Sequence, residues 1–126
     1  DRISKSMANH IAKEIVLTSK KPLLLLSIFE TESRFDPTTI SSKEAVGLGQ
    51  IRLVIYGKIL KNQNIIKEDK DLYNIKENII ATEFIINEEL KKTKDLKLAL
   101  KNYTGNNKKQ IEKIVYNFAL LSLIKN

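Results

Sequence analysis

The residue in this sequence best suited to acid–base chemistry is Glu32. Leu25, Ile28 and Phe29 precede it at positions i, i+3 and i+4 of a helical repeat, and Glu32 follows at i+7. A carboxylate at the end of such an apolar stripe loses hydration, which raises its pKa toward neutral pH. A carboxylic acid protonated near neutral pH can protonate a leaving-group oxygen, as cleavage of a glycosidic bond requires. The alternative is that the helix frays here and Glu32 is solvated.

The helix that must position Glu32 is predicted from Leu23 to Glu32, with Pro22 in its first turn, where the missing N–H costs little. Because this segment is apolar on almost every side, we expect it to lie at the centre of the fold. An amphipathic helix is predicted before it, near Ile3 to Leu17. A loop is predicted after it, from Ser33 to Glu44, because Asp36-Pro37 and several hydroxyl residues disfavour helix.

Farther along the chain, Ala45 to Ile51 is predicted to resume a short helix, and its two glycines suggest close backbone packing. Four more helices are predicted at about Leu53 to Leu60, Ile75 to Leu90, Leu96 to Tyr103 and Lys108 to Ile124. Glycine and proline are scarce, with four and two residues, and no repeat or linker divides the chain. We therefore expect one all-α domain over residues 1–126.

The composition limits the chemistry further. Without cysteine there is no disulfide or thiolate metal site, and the single histidine, His10, gives no support to a metal cluster or a nucleophile–histidine pair. The longest apolar run, which begins at Leu23, is far shorter than the roughly 20 residues of a transmembrane helix. Because the chain begins with Asp1 rather than methionine, we expect a trimmed segment of a longer protein, in which any targeting signal is not visible. The net charge of +7 favours a polyanionic partner.

An ordered set of residues runs from Glu32 to Ile51: Glu32-Ser33, Phe35, Asp36-Pro37, Ser41 and Ala45-Val46-Gly47-Leu48-Gly49-Gln50-Ile51. This set resembles the first half of the soluble lytic transglycosylase (SLT) catalytic domain, a lysozyme-like family that acts on peptidoglycan. Two later segments, residues 71–79 and 99–106, resemble the start of the family's next long helix and its Ala-Leu-x-x-Tyr-Asn-Gly segment. The resemblance covers roughly residues 20–115.

The resemblance implies a lysozyme-like all-α fold in which a central buried helix ends at the catalytic glutamate beside a substrate groove. Glu32 would protonate the oxygen that links N-acetylmuramic acid to N-acetylglucosamine, and then act as a base on the muramic acid C6 hydroxyl. The product would be a 1,6-anhydro end, formed without water. The resemblance further implies no metal or cofactor, peptidoglycan strands rather than nucleic acid as the partner, a monomer, and a periplasmic or cell-envelope location.

Three further residues are predicted to contact substrate. Ser41 and Gln50 carry neutral donors and acceptors suited to sugar hydroxyl and N-acetyl groups, although turn capping or surface polarity could also account for them. Tyr103 offers a ring face for a sugar and a hydroxyl that could bond Glu32, whereas a core tyrosine is the alternative.

The sequence departs from the family pattern at Thr104, which replaces asparagine, and at Gly49 and Arg52, which replace common methionines. These changes leave the acid intact but alter the predicted groove, so a weakened relative that only binds glycan stays open. Hydrolysis stays open as well, because Asp36 and Glu44 are the nearest other acids in sequence and could supply a second carboxylate. A helical nucleic-acid-binding module is a further alternative because the pI is near 9.5, but no docking motif accompanies the charge.

Overall fold

The structure, a computed structural model, describes residues 3–125. Within this range there are six α-helices, one short hairpin and one 3₁₀ helix at Asp69–Tyr73. The named elements are α1 (Lys5–Thr18), α2 (Pro22–Glu32), β1 (Ala45–Val46), β2 (Ile51–Arg52), α3 (Leu53–Asn62), α4 (Ile75–Thr93), α5 (Leu96–Thr104) and α6 (Lys108–Lys125). The predicted all-α class is confirmed. No helix between residues 3 and 125 combines the length and apolarity needed to cross a membrane.

Helix α2 is the central element, as its apolar sequence predicts. Pro22 occupies its first turn. Leu25, Ile28 and Phe29 are completely buried, and the helix packs against α1, α4 and α6. On the α6 side, the amide of Asn117 donates a hydrogen bond of 2.9 Å to Glu30. The core on three sides therefore holds α2 rigidly and sets where its last residue, Glu32, can lie.

The second half of the domain is built on α4, the longest helix, which packs against α1, α5 and the 3₁₀ helix. Lys94 ends α4 in the left-handed region, and the side chain of Asp95 then caps α5 by accepting a hydrogen bond from Leu98 N–H. Gly105, with φ of 76°, ends α5. The turn at Lys94 lets α5 pack against α4 with its C-terminal end beside the hairpin, and the turn at Gly105 leads into α6.

The predicted short helix from Ala45 to Ile51 is wrong, because this segment forms the β1–β2 hairpin. Ala45 pairs with Arg52 and Val46 with Ile51. Gly47 and Gln50 both adopt positive φ, at 75° and 50°, which no continuous α-helix allows. The hairpin is favoured by Asn78 of α4, which accepts a hydrogen bond from the N–H of Gly49, 29 positions away, and donates one to the carbonyl of Val46, 32 positions away. Local sequence contains no sign of that partner.

Candidate active site

Glu32 is the last residue of α2, and the backbone turns sharply after it. The N–H and hydroxyl of Ser33 both donate to the carbonyl of Phe29, which caps the helix end. Arg34 and Phe35 then adopt φ of 52° and 63°, a left-handed conformation that costs non-glycine residues about 1–2 kcal/mol each. The surrounding packing must overcome this strain. The helix therefore does not fray into solvent at Glu32.

The carboxyl group of Glu32 lies at the wall of a pocket of about 500 Å³. Its Oε2 atom is buried, and none of the described residues shares a hydrogen bond with it. Burial raises the pKa of Glu32 to about 7, and the positive charge of Arg52 limits the rise. A buried carboxyl oxygen without a protein partner is available to a ligand. Near neutral pH, the group can hold or release a proton.

The pocket is formed where four parts of the fold meet: the end of α2, the loop before β1, the hairpin, and the connection from α5 to α6. Its lining is mainly polar, and Glu32 is the one carboxylate among the lining residues that the structure describes. Lys43, Arg52 and Lys108 contribute positive charge. The remaining lining residues are Ser41, Ala45, Gln50, Tyr103, Thr104, Gly105, Asn106, Asn107 and Gln110.

Ser41 and Gln50, both predicted to contact substrate, line the pocket with Glu32. The hydroxyl of Ser41 accepts hydrogen bonds from the N–H groups of Lys43 and Ala45, so it also caps a turn. The side-chain amide nitrogen of Gln50 donates to the carbonyls of Thr39 and Gly47, at 3.0 and 3.1 Å. These bonds use both N–H groups of the side chain, which leaves the amide oxygen of Gln50 as the atom that could accept a hydrogen bond from a ligand.

Tyr103 also lines the pocket, but it is almost completely buried, with 2% exposure. Its hydroxyl donates to the backbone carbonyl of Gly49 and not to Glu32. Burial first, and then the charge of Glu32, raise the pKa of the Tyr103 hydroxyl. Its ring stacks on that of Tyr56, with centroids 6.2 Å apart. Tyr103 therefore supports the pocket wall from inside and offers little ring face to a sugar.

The departures at Gly49 and Thr104 have structural reasons. A Cβ atom on Gly49 would lie 2.7 Å from the Tyr103 hydroxyl oxygen and would also collide with the hydroxyl of Thr82. The position thus faces the protein interior, where a methionine does not fit. The hydroxyl of Thr104 donates to the carbonyl of Leu100 at 2.8 Å and accepts from the N–H of Asn107, so it closes the turn into α6.

Asn78 on α4 is a positioning residue that the sequence analysis did not single out. It is completely buried, donates to the carbonyls of Val46 and Leu72, and accepts from the N–H of Gly49 at 2.9 Å. These bonds hold the hairpin in front of α4. An asparagine amid the buried face of a helix was the available signal. Lys108 was not predicted as a pocket residue either, and Arg52 was predicted only as a departure that alters the groove.

The other candidate acids lie outside the pocket lining. Asp36 accepts hydrogen bonds from the N–H and hydroxyl of Thr38 within its own loop. Glu44 is exposed and has a positive φ of 56°. Between residues 3 and 125, no group of three or more His, Asp or Glu side chains is placed to hold a metal ion. The chemistry available to this pocket is therefore that of one carboxyl group among polar and cationic side chains.

Three comparisons with known proteins were made, and one of them, with sequence profiles of families, gave a match. No match was found among curated proteins or solved structures. The sequence profile of the Transglycosylase SLT domain matches residues 9–120, which is most of the chain and includes every residue of the pocket. The chain therefore belongs to the SLT transglycosylase family, a lysozyme-like group of lytic transglycosylases that act on peptidoglycan.

Proposed function

We propose that this domain is a peptidoglycan lytic transglycosylase that cleaves the bond between N-acetylmuramic acid and N-acetylglucosamine, with Glu32 as acid and then base. The observation that carries the proposal is the Oε2 atom of Glu32, which is buried at the pocket wall without a protein partner. A carboxyl group with a pKa of about 7 is half protonated at neutral pH. That is the range in which general acid catalysis is most effective.

In the first step, the protonated Glu32 donates its proton to the glycosidic oxygen as the C1–O bond breaks. The acetamido group of the muramic acid assists at C1, as in other substrate-assisted glycosidases. The Glu32 carboxylate then removes the proton from the C6 hydroxyl, and that oxygen bonds to C1. The products are a 1,6-anhydro end and a new N-acetylglucosamine end. Glu32 is again protonated, and no water is consumed.

The remaining lining residues suit a glycan that carries negative charge. The amide oxygen of Gln50 and the side chains of Asn106, Asn107 and Gln110 supply donors and acceptors for sugar hydroxyl and N-acetyl groups. Lys43 and Lys108 place positive charge at the pocket, which favours the carboxylates of peptidoglycan. We accordingly propose that the domain works in the cell envelope, on the periplasmic side.

Hydrolysis by a second carboxylate is the competing reaction, and mass analysis of soluble products from digested sacculi separates the two. Transglycosylation predicts products one water lighter than the hydrolytic muropeptides, formed about 10³-fold more slowly by Glu32→Gln. Glu30→Gln is the matched control, because Glu30 lies on the same helix but is exposed. Products with free reducing ends would establish hydrolysis instead. An active Glu32→Gln would remove Glu32 from the mechanism, and binding without any cleavage would indicate a glycan-binding relative.

A further inference from the structure

Arg52 occupies a position between the pocket and the end of α5. It is the last residue of β2, and its side chain lines the pocket with Glu32. Its Nε donates to the carbonyl of Tyr103 at 3.2 Å, and its Nη2 donates to the carbonyl of Asn102. These carbonyls belong to the last turn of α5, where the backbone lacks its own helical donors. Arg52 thus closes the open end of that helix with a charged group.

A second buried carboxylate, Glu89, supports the same end of α5 from behind the pocket wall. Glu89 lies on α4 with 6% exposure, and its two oxygens accept hydrogen bonds from the Tyr56 hydroxyl at 3.0 Å and the Asn102 side-chain amide at 2.9 Å. Arg52 contacts both partners of Glu89. Its guanidinium carbon lies 5.9 Å from the centroid of the Tyr56 ring, and its Nη2 donates to the carbonyl of Asn102. The guanidinium is therefore held on more than one side.

Gly105 leaves room for the guanidinium of Arg52 in the position that it occupies. A Cβ atom on Gly105 would lie 2.9 Å from Nη1 of Arg52, and the φ of 76° at Gly105 also disfavours other residues. A methionine at position 52 could neither donate to the α5 carbonyls nor carry charge. The Arg52 side chain and the Gly105 backbone therefore fit together as one local arrangement.

We propose that Arg52 is a positioning residue: its hydrogen bonds to the α5 carbonyls fix the wall formed by Tyr103, Thr104 and Gly105, and they hold its positive charge in the pocket that Glu32 lines. The inference rests on the proposed function for its catalytic meaning. The titratable groups that line the pocket with Glu32 are Lys43 from the loop, Arg52 from β2, Tyr103 from α5 and Lys108 from α6. Among the three cationic residues, Arg52 is held rigidly, because it donates to two backbone carbonyls.

The charge of Arg52 should also influence the pKa of Glu32, and electrostatics gives the direction. A fixed positive charge favours the ionised form of a neighbouring carboxyl group, so Arg52 holds the pKa of Glu32 below the value that burial alone would produce. Removing the charge should raise the pKa of Glu32 further. The acid form would then persist to higher pH, and the decline of activity on the alkaline side would move upward.

The test is a ¹³C NMR titration of the Glu32 side-chain carboxyl, assigned by its loss in Glu32→Gln, together with the pH profile of initial cleavage rates at low substrate. Arg52→Met should move both the titration midpoint and the alkaline limb upward by about one pH unit. Arg52→Lys should keep both near their original positions, with a several-fold lower rate, because lysine retains the charge but loses the forked contact. Arg34→Met is the matched control, since it removes an exposed arginine two residues from Glu32.

Thermal unfolding of each variant checks that it folds, and if Arg52→Met does not fold, the neutral Arg52→Gln takes its place. An unmoved midpoint in the neutral variant would overturn the inference. A midpoint that moves equally in Arg52→Lys, or in Arg34→Met, would overturn it as well. If the unaltered domain cleaves no peptidoglycan, the proposed function fails by itself, while the NMR titration still decides whether Arg52 controls the ionisation of Glu32.

Discussion

Two glutamates bring carboxyl groups into the protein near Tyr103, and their surroundings differ. Glu89, behind the pocket wall, has both oxygens paired, with the hydroxyl of Tyr56 and the amide of Asn102. Glu32, at the wall itself, has an Oε2 atom that is buried without a protein partner. Burial is costly for both groups. The fold offsets that cost for Glu89 with hydrogen bonds, whereas at Glu32 the cost stays and appears as a raised pKa.

The backbone around the two groups differs in the same way. Glu89 lies within the regular helix α4. The segments that form the pocket around Glu32 include five non-glycine residues with positive φ: Arg34, Phe35, Glu44, Gln50 and Asn106. Unsatisfied polar atoms and strained backbone tend to occur together where a protein binds or transforms a ligand. The contrast supports the proposal that Glu89 serves stability whereas Glu32 serves catalysis.

The largest expected effect comes from replacing each carboxylate by its amide. Glu32→Gln removes the transferable proton and should lower the cleavage rate about 10³-fold, within the usual range for general acid catalysis. Glu89→Gln keeps one acceptor oxygen and should change the rate less than about tenfold. Loss of turbidity of a sacculus suspension measures both rates. The contrast between the two glutamates fails if Glu89→Gln loses as much activity as Glu32→Gln.

The second prediction concerns stability against pH. The pKa of Glu32 is raised from 4.5 to about 7 in the folded protein. The contribution of Glu32 to the free energy of unfolding is therefore fully present below pH 4.5 and is lost as the pH rises through 7. Glu32→Gln should raise the free energy of unfolding by up to about 3 kcal/mol at pH 8 and leave it unchanged at pH 4. Urea denaturation at both pH values measures the difference, and equal gains at both would contradict it.

The third prediction addresses Glu89 as a structural group. Glu89→Ala leaves the Tyr56 hydroxyl and the Asn102 amide without their acceptor, so the free energy of unfolding should fall by about 2–3 kcal/mol. Glu88→Ala, at the neighbouring half-buried position, should cost less than about 1 kcal/mol, because its partner Lys91 is largely exposed. Urea denaturation at pH 7 compares them. Similar losses in the two variants would show that Glu89 is not a structural anchor.

The smallest effect is expected from the exposed lysines of the pocket. Lys43→Gln and Lys108→Gln should each weaken binding to sacculi only a few-fold, since exposed charges contribute about 0.2–1 kcal/mol. The loss should shrink as salt is raised, because ions screen exposed charges. Co-sedimentation with sacculi, using inactive Glu32→Gln as the background, measures it. Lys5→Gln on α1, outside the pocket lining, is the matched control and should bind as the background does.

Much of the fold was predictable because the helices are specified locally. Pro22 begins α2 as predicted, and α4 and α6 begin at the predicted residues Ile75 and Lys108. The segment from Ala45 to Ile51 was misassigned, since its conformation depends on Asn78 and on the close approach of Tyr103 to Gly49. Helix-propensity scales describe the intrinsic preference of each residue and are summed over its neighbours along the chain. They contain no information about a side chain that reaches a turn from a distant helix.

The candidate site divides along the same line. The sequence by itself determined that Glu32 ends an apolar helix and that Gln50 and Tyr103 stand in the order typical of SLT domains. Only the tertiary structure decided that the Tyr103 hydroxyl donates to the Gly49 carbonyl, that Arg52 lines the same pocket as Glu32, and that both oxygens of Glu89 accept hydrogen bonds. The physical reason is that a pKa and a hydrogen bond depend on distances and burial, which arise only when α2, the hairpin, α4 and α5 pack together.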